Sequence, residues 1–167
     1  MNDQVRDNDQ ESGVAQRAAG PMQLVRAGDF HFGILAEKIT AIVPWREPAP
    51  LPDAPKAVLG IVSIQGRMLT VLDLMSLPTG KEVSDDASEH APGHLVALRG
   101  DEQLAIAVDR VGGIIEPGIG DMDRSPEVSN ALVLGVLSHQ DLDINILNLD
   151  ELFSSSMQGR ERRRRRF

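Results

Sequence analysis

The chain contains no cysteine and no tyrosine, and aromatic residues make up only 3% of its 167 residues. Without cysteine there is no disulfide framework, no thiolate metal site and no cysteine nucleophile. One tryptophan, Trp45, and four phenylalanines supply too little ring surface for a sugar-binding or base-stacking pocket. Long apolar runs are missing too, since every apolar stretch falls far short of a membrane span. The opening MNDQVRDNDQ has no basic start followed by an apolar run, so no secretory signal is read. Together these absences predict a cytoplasmic protein.

Hydrophobic residues nonetheless reach 41%, so the core must be aliphatic, and Val, Ile and Leu at that density favour strands. Net charge is −8, but it is unevenly spread: the last eight residues, RERRRRRF, hold six arginines and one glutamate, or +5, which leaves −13 on the other 159. An acidic body argues against nucleic-acid binding by the folded part. The arginines of the tail, Arg160, Arg162, Arg163, Arg164, Arg165 and Arg166, read as a flexible basic segment over 154–167 suited to an acidic partner.

Residues 1–20 are polar and aperiodic, which predicts disorder. Order begins near Met22, with a short strand, a Gly28-Asp29 turn and a return strand from Phe30 to Leu35. The proline-rich text from Val43 to Pro55 predicts an extended connection, with a proline-motif ligand as the sharper alternative. Val58–Ile64 and Met68–Leu74 are apolar runs around Gly66, and 78–93 is a polar linker. Apolar segments resume at Leu95–Leu98, Gln103–Val108 and Asp109–Ile115. A Gly/Pro/Asp-rich loop spans Glu116–Asn130, and Leu132–Leu137 and Leu142–Leu149 follow. Asp150–Phe153 reads as the start of a terminal helix, capped by Asn148 or Asp150.

No set of side chains converges on catalysis. His90 and His94 are four apart, but Pro92 and Gly93 lie between them and break the helix a metal pair would need, so no metal and no cofactor is expected. Ser138, His139 and Asp141 sit at a tight turn with no oxyanion element. Asp121, Asp123, Asp141 and Asp143 lack calcium-loop spacing. Gly112-Gly113 and Gly118-Ile119-Gly120 have no following Lys-Ser/Thr and read as turns that need positive φ. The sequence predicts a protein that is not an enzyme.

An internal repeat is the informative feature. At an offset of 75 residues, Val58-Leu59-Gly60-Ile61-Val62-Ser63-Ile64-Gln65 falls on Val133-Leu134-Gly135-Val136-Leu137-Ser138-His139-Gln140. Leu69, Val71, Leu72 and Leu74 fall on Ile144, Ile146, Leu147 and Leu149. At an offset of 72, Gly28-Asp29 falls on Gly100-Asp101, Ile34 on Ile106, and Glu37-Lys38-Ile39 on Asp109-Arg110-Val111. Gly60, Gly66 and Gly135 stand at structural turns in this reading. Two halves, about 21–77 and 94–153, each supply some five short strands, and each alone would be marginal. Packed together they share an aliphatic core, and the seam between them is a candidate binding site.

The ordered series of motifs resembles the chemotaxis coupling-protein (CheW) family. It runs through Leu51-Pro52-Asp53-Ala54-Pro55, Val58–Arg67, Leu69-Thr70-Val71-Leu72-Asp73-Leu74, Ile106–Val111, Val133–Val136 and Ile146–Phe153, and covers Met22 to Phe153. The resemblance implies a mainly β fold of two intertwined five-stranded SH3-like barrels with a short C-terminal helix. It also implies a non-catalytic adaptor that links the cytoplasmic tip of chemoreceptors to the regulatory domain of a CheA-type histidine kinase, in rings of alternating adaptor and kinase domains beneath membrane receptor arrays. Receptor-facing candidates carried over are Ile39, Ala41, Ser63, Ile64, Gln65 and Arg67. Two departures stand out. Ser63-Ile64-Gln65-Gly66 replaces the family's Asn-Leu-Arg-Gly, and Ala41 stands where the family carries a glutamate. With both charges gone, neither leaves the other unpaired. The alternative reading is a stand-alone regulatory module that has lost receptor contact.

Overall fold

The computed structural model describes residues 20–77, 92–117, 122–123, 132–154 and 156. The expected disordered N-terminus, most of the polar linker and the arginine tail lie outside these residues. Eleven strands occur among them: β1 (Met22–Ala27), β2 (Phe30–Leu35), β3 (Ile39–Pro44), β4 (Val58–Ile64), β5 (Arg67–Asp73), β6 (His94–Leu98), β7 (Leu104–Val108), β8 (Arg110–Ile115), β9 (Met122–Asp123), β10 (Val133–His139) and β11 (Leu142–Leu147). They form two sheets, ordered β8-β1-β2-β11-β10-β9 and β3-β6-β7-β5-β4.

The repeat is now visible in space. Under the sequence offsets β1–β5 correspond to β6, β7, β8, β10 and β11, and that substitution converts the second sheet's order into β8-β1-β2-β11-β10 of the first. The first sheet takes the β1–β2 hairpin from one half of the sequence and four strands from the other, and the second takes the β6–β7 hairpin and three strands, so neither half forms a sheet alone. The exchange is made by two parallel pairings, β2 with β11 (Ile144 opposite His31) and β5 with β7 (Val71 opposite Ala105). Even the irregularities repeat: a bulge interrupts β4–β5 between Val58 and Gly60, and another interrupts β10–β11 between Val133 and Gly135. The closing contacts repeat as well. Ala49, inside the proline-rich connection, bridges to Ile61 of β4, and Asp123 of β9 pairs with Val136 of β10. The proline-rich segment is therefore partly structural, with Pro48 buried beneath it.

Both hairpin turns require positive φ at two successive residues. Gln65 and Gly66 lie at +52° and +76°, and Gln140 and Asp141 at +50° and +65°. This is the primed turn whose twist suits a two-residue hairpin. Gly66 is a turn glycine as expected, but Gly60 and Gly135 are not: they lie inside β4 and β10 at the bulges, and Gly60 is buried at φ +148°, where an added Cβ would strike the Ala49 carbonyl. Gly112 and Gly113 are not turn residues, contrary to the sequence expectation: they lie within β8 at a bulge against β1. The Gln23 amide donates to the Gly112 carbonyl at 2.6 Å there, and a Cβ on Gly112 would meet the Leu24 side chain at 3.3 Å. Gly118-Ile119-Gly120 lies outside the described residues.

Alternation along the strands sorts the apolar side chains into three groups. Val62, Ile64, Leu69, Val71, Leu95, Ala97, Ala105 and Ala107 fill the second sheet. Met22, Leu137, Ile144 and Ile146 fill the first. The largest group joins Val25, Phe32, Ile34 and Leu147 of one sheet to Leu72, Val96, Leu98, Leu104, Ile106 and Val108 of the other. The seam expected to bind a partner is thus mostly packed core, because β6 and β7 are apolar on both faces. The chain ends its described course in a 3-10 turn, Leu149–Glu151, with Asn148 at the N-cap position, and then a helical turn whose Leu152 is buried in the same core. The Asn148 side chain makes no capping hydrogen bond. No described helix is long and apolar enough to cross a membrane.

Candidate functional site

At one end of the second sheet the β4–β5 tip, the β6–β7 turn and the entry to β3 come together. The Arg99 amide donates to the Lys38 carbonyl at 2.7 Å, and Arg99 Nε donates to the Glu37 carbonyl at 3.2 Å. Arg67 Nη2 donates to the Gly100 carbonyl at 3.4 Å. Arg46 Nη1 donates to the Ser63 carbonyl at 3.2 Å. These contacts place Lys38, Arg46, Arg67 and Arg99 on one face, all exposed. Met68 stands among them, opposite Ser63 on the neighbouring strand, and is 59% exposed. It occupies the outward step of an alternation whose inward steps are Leu69 and Val71.

The same face carries a cleft of about 330 Å³ at the end of the seam. Leu98, Leu104 and Leu149 are its apolar part, and Lys38, Arg99, Asp101, Glu102 and Asp150 its charged rim. An apolar floor ringed by charge suits the insertion of one partner side chain more than turnover of a small substrate.

The candidates taken from sequence divide by orientation. Ser63, Gln65 and Arg67 are exposed at the tip. Ile64 is only 2% exposed and packs inside the second sheet, so it supports the tip rather than meeting a partner. Ala41 is half-buried against the same apolar group, and Ile39 against the seam core. An alanine at that inward-leaning position needs no counter-charge, which fits a neutral Gln65. Sequence reading missed Lys38, Arg99, Met68 and the cleft. Turn charges give no local signal of where they converge, although the outward parity of Met68 was readable.

The residues considered for chemistry stay apart or acquire other roles. His94 begins β6 with its Nδ1 buried and unpartnered, while His90 lies outside the described residues. Ser138 Oγ lies 3.5 Å from an Asp143 carboxylate oxygen and is no nucleophile–base pair with His139. Among the described residues no three His, Asp or Glu side chains cluster as metal ligands would.

Comparison with known proteins agrees with this architecture. The chain is 26% identical over 134 residues to the chemotaxis protein CheW of Rhizobium meliloti (strain 1021), covering 78% of this chain and 84% of that one. It is 24% identical over 133 residues to the chemotaxis protein CheW of Treponema pallidum (strain Nichols), covering 77% and 78%. The crystal structure of the scaffolding protein TtCheW from Thermoanaerobacter tengcongensis superposes with a TM-score of 0.66 at 21% identity, over 81% of this chain and 88% of that one. The model of the CheW-like domain matches residues 21–157, the greater part of the sequence, so the protein belongs to the CheW-like domain family.

Proposed function

We propose that this member of a non-enzymatic scaffold family is the adaptor of a chemosensory pathway, joining a chemoreceptor tip to the regulatory domain of a CheA-type histidine kinase. The observation that carries the reading is the family match over residues 21–157 combined with an exposed face that sets Met68 and Arg67 beside a cleft whose rim carries both signs of charge. Catalysis is not part of the role. The scaffold works by holding two partners at fixed separation, which a rigid pair of sheets sharing one core can do. Within the reading, Ser63, Gln65 and Arg67 contact the receptor directly, Ile39, Ala41 and Ile64 shape the strands behind them, and the protein acts in the cytoplasm beneath membrane arrays. The arginine tail adds a salt-sensitive contact to an acidic partner surface.

Titration of the full chain with the regulatory domain of each CheA-type kinase in the same cell tests the proposal. Saturable 1:1 binding to at least one is expected, and binding to none would overturn it. A second reading, a regulatory module without receptor contact, is favoured by Ala41 and Gln65. Under it, the wild-type chain stays diffuse while an Ala41→Glu, Gln65→Arg variant gathers at receptor clusters. Clustering of the unaltered chain would exclude that reading.

A further inference from the structure

The cleft at the end of the seam has an unevenly charged rim. Its apolar floor, Leu98, Leu104 and Leu149, is bordered by three carboxylates, Asp101, Glu102 and Asp150, and by two cations, Lys38 and Arg99. The two cations share one wall, since the Arg99 amide donates to the Lys38 carbonyl and Arg99 Nε to the Glu37 carbonyl. The carboxylates stand on the β6–β7 turn and on the closing 3-10 turn, all exposed, and Glu151 extends the acidic side. That closing turn leads straight into the most basic stretch of the chain. Leu152 is buried in the same apolar group as Leu98 and Leu104, and Ser156 Oγ donates to the Phe153 carbonyl at 2.7 Å, so the root of the tail is fixed beside the cleft. Beyond it come five consecutive arginines, Arg162 to Arg166, and then Phe167. The family match stops at residue 157, so this segment lies outside the matched domain.

We infer that the tail docks on its own cleft: Phe167 enters the apolar floor, and the arginines of 162–166 lie along Asp101, Glu102 and Asp150. The span allows it. Asp150 precedes Ser156 by six residues and so lies within about 22 Å of it, whereas the eleven residues from Ser156 to Phe167 reach about 36 Å or more when extended. Charge selects the acidic side of the rim, because Lys38 and Arg99 repel the arginines from the other wall. Shape selects this acidic surface over the β10–β11 tip, where Asp141 and Asp143 flank a Leu142 exposed on a hairpin end rather than a concave floor. A volume of about 330 Å³ is at the small end for a ligand site, which suits one side chain and the stems of its neighbours. Tethering gives the tail an effective concentration on the order of millimolar, so a contact weak enough to be salt-sensitive is still populated, whatever the protein concentration. A partner side chain that takes the cleft frees the arginines for the partner's acidic surface; that exchange rests on the adaptor reading, whereas docking in the free protein does not.

Because the chain has no cysteine, a single Arg164→Cys substitution places one nitroxide spin label on the full chain, and the amide NMR signals report what the label approaches. At low salt, signal loss should centre on the amides of Gly100, Asp101, Glu102 and Asp150, and high salt should reverse it. Asp101→Lys combined with Glu102→Lys, both at exposed turn positions, should reverse it as well, and Phe167→Ser should weaken it. Unchanged amide positions in β10 and β11 confirm that the variants fold. A mixture of spin-labelled chain with isotope-labelled chain that carries no nitroxide should show no loss, because the contact lies within one molecule. Any of these results would overturn the inference: no loss at the cleft, loss centred instead on Asp29, Asp141 and Asp143, loss that survives the paired lysine variant or ignores Phe167→Ser, or loss in the mixture.

Discussion

Replacing Gly60 by alanine tests how the second sheet closes on itself. The backbone at Gly60 lies at φ +148°, a conformation that L residues rarely adopt, and the new Cβ would point into the Ala49 carbonyl and within 3.0 Å of Pro48 Cβ. Those atoms belong to a backbone strap and cannot rotate away. The strap is held by two hydrogen bonds, Ala49 N–H to the Ile61 carbonyl at 2.8 Å and Ile61 N–H to the Ala49 carbonyl at 2.9 Å. Backbone strain costs about 1–3 kcal/mol. Loss of the two bonds adds about 0.5–1.5 kcal/mol each. The expected destabilisation is therefore about 2–6 kcal/mol. Gly66→Ala is the control: its φ is +76° but an added Cβ meets nothing within 4 Å, so only the left-handed penalty of about 1–2 kcal/mol applies. Urea unfolding followed by circular dichroism gives both values, and hydrogen exchange reports the Ala49 and Ile61 amides. Equal destabilisation by the two substitutions, or unchanged protection of those amides in the Gly60 variant, would refute the argument.

Other expectations follow from single contacts. Gln23 is 6% exposed and donates to the Gly112 carbonyl at 2.6 Å across the β1–β8 bulge; Gln23→Leu should cost about 1–3 kcal/mol in thermal or urea unfolding, because that carbonyl loses its side-chain donor. Gln65→Asn should stabilise the chain by up to about 1 kcal/mol, since Asn-Gly is the favoured pair for a turn with φ +52° and +76°; the urea midpoint measures it. Ala41→Glu should destabilise by about 1–2 kcal/mol in urea unfolding, by pressing a carboxylate toward an apolar group.

Much of the scaffold could be read from local pattern. Alternation and Gly-Asp punctuation placed the hairpin at Gly28-Asp29 and the strands around Gly66, since side-chain parity and turn chemistry are properties of neighbouring residues. The equivalence of Gly60 with Gly135 was legible for the same reason, and the closing bridges of Ala49 and Asp123 show that it extends into segments read only as loops. The three-residue difference between the offsets falls between β8 and β10, on the stretch that includes β9.

The exchange of strands was not determined locally. Apolar runs such as Leu104–Val108 are buried on both faces, so parity cannot say which face meets which sheet. The pairings that decide it, β2 with β11 and β5 with β7, join segments far apart in sequence. That exchange converted the expected seam into core and left only its rim as a cleft. It turned Ile64 inward and gathered Lys38, Arg46, Arg67 and Arg99, from four separate segments, onto one face. The sequence by itself determined the absences: no cysteine chemistry, little aromatic surface, and an acidic body with a basic tail. It also determined the repeat, because composition and spacing are one-dimensional. Which side chains share a surface was decided by tertiary structure alone, because charge convergence and burial depend on distances that only long-range strand pairing sets.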